Sequence, residues 1–290
     1  MSRLFERVTV VGVGLIGGSL AGAMRAAGLA GEVVGFGRGE ANLETARARG
    51  LVDRATRDPA AAAAGADAIV LAVPHGSYAA VAAALRPHAP AGALLTDVGS
   101  VKAMPVAALE RAWAGRGPVV GAHPIAGSEA SGAGAARLDL FRDRPCIVTP
   151  TATTDPDALG RVRALWTALG ARVEEMPPAV HDELLARASH LPHLVAYALT
   201  AAVGAGTADG RAAIDYVGTG FRDTTRIAAS ASQLWADIAL ANAPALASAL
   251  AEFRAVLGRL GAMVDAGDGP GLATALEEAC ALRRRLGRES

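Results

Sequence analysis

As far as Glu175 the apolar positions fall in short runs rich in Val, Ile and Leu, separated by alanine-rich stretches of helical spacing. The runs Val8–Val11, Val33–Phe36, Ala68–Val73, Leu94–Thr96, Val119–Ala122, Cys146–Val148 and Arg172–Glu175 predict strands. Helices are expected near Ile16–Ala27, Leu43–Arg49, Ser77–Leu85, Pro105–Ala114 and Asp157–Leu169, the last opened by Thr154, Asp155 and Pro156 as cap and first-turn residues. Alternation of this kind is the α/β pattern of a Rossmann-type, doubly wound parallel sheet with helices on both faces.

After Met176-Pro177-Pro178 the alternation stops, and helix follows helix: Ala179–Ala201, Gln233–Leu240, Pro244–Ala266 and Leu272–Leu286. The expected division is therefore a dinucleotide-binding domain over 1–177 and an all-helical domain over 178–290. Pro192 should kink the first of these helices or be absorbed by a local rearrangement. So alanine-rich a helical domain can pack closely on a copy of itself, which suggests a dimer core. The run Ala60–Ala66 reads as an exposed helix end.

Composition narrows the function classes. With 52% hydrophobic residues and Lys+Arg 28 balanced by Asp+Glu 28, the 290-residue chain is neither disordered nor basic enough to track a phosphate backbone. Cys146 and Cys280 form no CxxC spacing, so no disulfide framework or zinc knuckle is expected and a reducing cytoplasm is the natural setting. The apolar run Val8–Met24 is broken by glycines, and reads as neither a signal peptide nor a membrane span. Lys102 is the only lysine.

Val8–Val11 leads directly into Gly12-Val-Gly14-Leu15-Ile16-Gly17 and then a helix, a GxGxxG turn in its proper context. Gly12 allows the tight turn, Gly14 the close approach of a diphosphate, and Gly17 the packing of helix on strand. Leu15 and Ile16 supply N–H groups at the helix start, and Val73-Pro74 should flank the same site. The second strand ends in Gly37-Arg38-Gly39 where an NAD site normally carries Asp or Glu, and Arg38 could bind a 2′-phosphate, so NADP is favoured over NAD. Glu40 is close enough to serve as the ribose ligand instead.

Two loops at predicted strand ends carry the candidate chemistry: Asp97-Val-Gly-Ser100-Val-Lys102 and His123-Pro-Ile-Ala-Gly127-Ser-Glu129. His123 suits a general acid or base tuned near neutral pH. The helical half adds His181-Asp182 and Ser189-His190-Leu-Pro-His193, where positions 190 and 193 could share a face; with no third ligand of suitable spacing, no metal is expected. Gly218-Thr-Gly-Phe-Arg222-Asp223-Thr-Thr-Arg226, followed by Trp235, offers two arginines four apart. They could grip a carboxylate or simply pair with Asp223.

The strings GxGxxGGSL, TDVGSVK, GAHPIAGSExSG, HDxxxAxxSHLPH and GFRDxTRIA, in this order from Val8 to about Trp235, resemble the prephenate/arogenate dehydrogenase family of tyrosine biosynthesis. The resemblance implies a Rossmann domain, a helical dimerisation domain and NAD(P)-dependent oxidative decarboxylation of prephenate or arogenate. It also implies that His123 deprotonates the substrate's ring hydroxyl and that Ser100 supports that geometry. Arg226 would bind a substrate carboxylate and His193 the substrate side chain, with His181 and Ser189 lining the pocket and Glu129, Asp223 and Trp235 near its mouth. Many members end the second strand with Asp, so Gly37-Arg38 departs toward NADP-using relatives. No room is expected for a fused chorismate mutase or regulatory domain. A hydroxyacid dehydrogenase would need a lysine in the helical half, which has none. A non-catalytic NAD(P) sensor would need no anion-binding arginine or strand-end histidine.

Overall fold

The computed structural model describes residues 3–128 and 130–286. Eight strands form one sheet: β1 (Phe5–Val11), β2 (Ala30–Phe36), β3 (Arg54–Thr56), β4 (Ala68–Leu71), β5 (Leu94–Asp97), β6 (Val119–Pro124), β7 (Pro145–Thr149) and β8 (Arg172–Glu175), in the spatial order β3-β2-β1-β4-β5-β6-β7-β8. Pairing is parallel from β3 through β6, antiparallel between β6 and β7, and parallel again between β7 and β8.

Side chains alternate between two apolar layers, as a sheet covered on both faces requires. Val10, Val70 and Leu94 face a layer completed by α1 (Leu15–Ala26), α2 (Glu40–Ala48) and, further along the chain, the helix Pro156–Ala168 with Trp166. Val11, Ile69, Leu71 and Leu95 face the other, built from α3 (Pro59–Ala63), α4 (Tyr78–Leu85) and α5 (Ala103–Trp113). The helix Pro156–Ala168 is α6; Asp155 caps it by accepting from Ala158 N at 2.8 Å.

Two expectations need correction. Ala60–Ala66 is not an exposed helix end: Asp58 caps α3, and Ala62, Ala63 and Ala66 are fully buried in the second layer, where small side chains let the short helix lie close to the sheet. Strand β3 went unpredicted because only Arg-Ala-Thr on the sheet edge form it, without an apolar run.

Beyond the sheet, α7 (Pro178–Leu185) passes into a π-helical turn over Ala186–His190 and then α8 (Leu191–Ala205). Pro192 is thus absorbed rather than kinking the helix: it lies in the first turn of α8, where its missing N–H is tolerated, and the wide turn precedes it. A two-residue hairpin follows, β9 (Thr207–Ala208) and β10 (Arg211–Ala212), turned by Asp209 and Gly210, both at positive φ. Next come α9 (Thr219–Thr225), a 3-10 turn over Arg226–Ala229 tied to α8 by Tyr197 Oη donating to Ser230 O at 2.9 Å, and α10 (Ser232–Ala241).

The chain divides into two compact units, 1–242 and 243–290. The first includes α7 to α10 with the sheet. The second is a helix pair, α11 (Ala243–Asp265) and α12 (Gly269–Leu286); Gly267, at φ +66°, ends α11, with Gly267 N donating to Val264 O and Asp268 N to Met263 O. Val256, Leu257, Val264, Leu276 and Leu282 of this pair are exposed. Among the described residues no single helix is long and apolar enough to cross a membrane.

Candidate active site

At the end of β1 the chain turns through Gly12 at φ +88°, and a Cβ there would lie 2.5 Å from Ala72 O. A Cβ on Gly17 would lie 2.0 Å from Gly12 O, so only glycine lets α1 start this close to the turn. A Cβ on Gly14 would meet nothing within 4 Å, and α1 has no side-chain N-cap; the first-turn N–H groups at Leu15 and Ile16 therefore face an open approach. This cradle fits a dinucleotide diphosphate. Val73 and Pro74, just past β4, border it, with Val73 Cγ1 against Gly12. Arg38 follows β2 and is exposed, and Glu40 pairs with Arg57 at 3.6 Å. Asn42, unremarked in the sequence, braces the loop by donating to Val13 O at 2.9 Å and accepting from Ala133 N at 2.7 Å.

His123 is 8% exposed on β6. Its Nδ1 lies 2.8 Å from His181 Nε2, and His181 Nδ1 lies 2.8 Å from Asp182 Oδ1. The same carboxylate accepts from the main-chain N–H of Lys102 and of Ala103, each at 2.8 Å, where α5 begins. It can only accept from His181, so His181 carries its proton on Nδ1 and receives the Nδ1–H of His123 on Nε2. His123 Nε2 is left with the lone pair. Burial, then the neighbouring His181, Lys102 and His190, push the His123 pKa well below the usual histidine value. Burial likewise lowers His181, opposed by the bond to Asp182. Both rings are therefore neutral near pH 7, and His123 is a base.

Lys102, which closes the first of the two loop motifs, is completely buried next to this site. Its ammonium contacts Asp97 Oδ2 and donates to Ala122 O at 2.8 Å. Asp97 also accepts from Tyr78 Oη and Gly99 N, both at 2.9 Å, and from Ala122 N at 3.3 Å. The cluster thus clamps the ends of β5 and β6 immediately before Ser100 and His123. Burial lowers the lysine pKa against the pull of Asp97 and raises that of Tyr78 well above the usual phenol value. Asp97 and Lys102 lie five apart in the loop motif, a signal that was legible; Tyr78, from a distant helix, left none. Cys146, paired across from Pro124, is buried and its thiol pKa is pushed up, so it is inert.

His190 and His193 do not point together. His190 is buried and turns Nδ1 to Asn242, whereas His193 is half-buried, donates Nδ1–H to Ser189 O at 3.0 Å and stacks on Trp235 with centroids 3.3 Å apart. The described contacts bring His123, His181, Asp182, Lys102, His190, Asn242, His193 and Trp235 into one connected region. Asp223 and Arg226 are exposed on the adjoining turns, with Arg226 opening the 3-10 turn that packs on α8. Glu129 lies outside the described residues.

A family model described as the nucleotide-binding domain of prephenate dehydrogenase matches residues 20–175, and one described as its dimerization domain matches 177–278. The cyclohexadienyl dehydrogenase of Zymomonas mobilis is 37% identical over 266 residues, covering 91% of this chain and 90% of that protein. The crystal structure of Aquifex aeolicus prephenate dehydrogenase with hydroxyphenyl propionate and NAD+ is 32% identical and superposes with a TM-score of 0.92, covering 99% of both chains. Synechocystis arogenate dehydrogenase, 33% identical, gives 0.82 and covers 97% of this chain and 99% of its own. With both domains matched and the likeness running nearly end to end, the chain belongs to the prephenate dehydrogenase family of NAD(P)-dependent dehydrogenases.

Proposed function

We propose that this chain converts prephenate to 4-hydroxyphenylpyruvate with loss of CO2, as a homodimer built through its helical half. The observation that carries the reading is the Asp182–His181–His123 relay, which leaves a neutral base, His123 Nε2, at the end of β6. Bound on the glycine loop, the oxidised nicotinamide supplies the hydride acceptor. His123 takes the ring hydroxyl proton while the hydrogen on the same carbon departs as hydride; the ring carboxylate leaves as CO2, its bond electrons complete the aromatic ring, and the resulting phenolate oxygen takes the proton back from His123. Charge appearing on His123 passes through His181 toward the Asp182 carboxylate, and Ser100 orients the hydroxyl. Arg226 grips the substrate carboxylate, His193 meets the side chain, and Ser189, Asp223 and Trp235 complete the pocket. The exposed apolar residues of α11 and α12 support the dimer, since a monomer would leave them in water.

NADP is the favoured cofactor. Gly37 stands where a ribose-binding carboxylate would repel a 2′-phosphate, Arg38 follows it, and Glu40, the alternative ribose ligand, is paired with Arg57. One observation favours arogenate as a second substrate: His193 spends its Nδ1–H on Ser189, and burial lowers its pKa, so a neutral ring offers an acceptor better matched to arogenate's ammonium than to prephenate's keto group.

Initial rates at 340 nm with prephenate or arogenate, each with NAD+ or NADP+, test all three choices. Turnover of prephenate, fastest with NADP+, is expected. His123→Asn should lower kcat by about 10²–10⁴-fold with cofactor affinity intact. No turnover in any of the four assays, from folded protein that binds dinucleotide, refutes the proposal.

A further inference from the structure

His190 has no part in the chemistry above, yet it is 1% exposed and lies edge-on to Trp235, on which His193 stacks. It closes the π-helical turn. Its Nδ1 lies 3.1 Å from Asn242 Nδ2, and that amide also donates to Asp182 O at 2.7 Å. An amide nitrogen only donates, so His190 accepts on Nδ1 and carries its proton on Nε2. That Nε2–H is fully buried and has no hydrogen-bond partner among the described residues. The Ser100 main-chain carbonyl is the acceptor nearby, close enough to favour a protonated ring, while burial pulls the other way. A buried donor left unpaired is costly and is retained where something completes it.

We propose that His190 is a positioning residue for Ser100: held as the Nε2–H tautomer by Asn242, it donates to the Ser100 carbonyl when the site is loaded and so aims the Ser100 hydroxyl at the substrate oxygen beside His123. The amide that orients His190 also holds the backbone of Asp182, so one asparagine sets both the base relay and the serine. The inference rests on the reading that Ser100 takes part in the reaction.

A double-mutant cycle tests it, with prephenate and whichever of NAD+ and NADP+ the wild type uses faster. Ser100→Ala and His190→Ala should each lower kcat by about 10–100-fold with little change in KM for the cofactor. The double variant should be no slower than Ser100→Ala alone, because without the hydroxyl nothing remains to aim. His190→Gln, which keeps an N–H donor, should recover most of the rate. Equal, multiplying losses in the double variant, or a glutamine variant as slow as alanine, would overturn the proposal and leave His190 a packing residue. If His190→Ala fails to fold, His190→Leu, which fills the space without a donor, takes its place in the cycle with the same criterion. If Ser100→Ala is as fast as wild type, the role of Ser100 itself falls, a result distinct from additivity.

Discussion

Replacing Asp182 by Asn separates the two tasks of its carboxylate. Oδ2 accepts from Ala103 N, and Oδ1 from both Lys102 N and His181 Nδ1, all at 2.8 Å. An amide has one acceptor and one donor group, so either orientation sets NH2 against a donor. Turned toward Ala103 N–H, it loses one charge-assisted bond and the negative charge at the start of α5, about 2–4 kcal/mol of stability. Turned toward His181, it donates to Nδ1 and reverses the whole relay: His181 then bears its proton on Nε2, and His123 must accept on Nδ1 and carry hydrogen where its lone pair is needed. The corresponding reversal in a Ser-His-Asp triad costs about 10⁴ in kcat, an upper bound here because an extra ring intervenes. A loss of about 10²–10³ in kcat is expected, with dinucleotide affinity unchanged. Steady-state rates at 340 nm, a dinucleotide titration and a thermal melt measure the three quantities. A variant that melts lower but turns over within about threefold of wild type would refute the need for a charged carboxylate behind His181 and leave Asp182 a neutral acceptor and helix cap.

Acid should destabilise the fold before the carboxylates titrate. His123, His181, His190 and His193 all have folded pKa values below the unfolded value, His190 down to about 4. The unfolded chain therefore binds more protons as pH falls below about 6.5, and stability drops from there toward pH 4, His190 alone contributing on the order of 3 kcal/mol. A melting temperature flat between pH 7 and 5 would contradict this. Lys102→Met should strand Asp97 as an unpaired buried charge and cost about 3–5 kcal/mol, read as a large fall in melting temperature; a melt unchanged within error would show that the pair is dispensable.

The sheet was legible because buried parallel strands announce themselves as apolar runs, and the glycine turn because its spacing follows from backbone geometry. Edge strand β3 and the buried alanines of α3 were not, since burial there comes from neighbours rather than from local pattern. The histidines and Lys102 were visible as residues, but not their division of labour. That His181 reaches His123, 58 residues away, or that Asn242 reaches both Asp182 and His190, 60 and 52 residues away, depends on contacts that only the folded topology closes. Tyr78 is likewise ordinary in the sequence and becomes a ligand of Asp97 only through the sheet order.

The π-helical turn over Ala186–His190 has a consequence for how such a pocket could arise. A residue inserted into a continuous helix rotates everything beyond it by about 100° relative to everything before it. In a regular helix His193 would stand about 120° around the axis from His181; the wide turn brings it back to within about 30°. A single codon inserted in an ancestral helix would by itself have swung the second histidine pair away from the first, and the wide turn absorbs that residue so that both keep one face. Excision of one residue from 186–189, with the helix closing to regular geometry, would leave the two histidines eleven apart and still within about 20° of each other, so their facing would survive and only the local backbone of the turn would be lost.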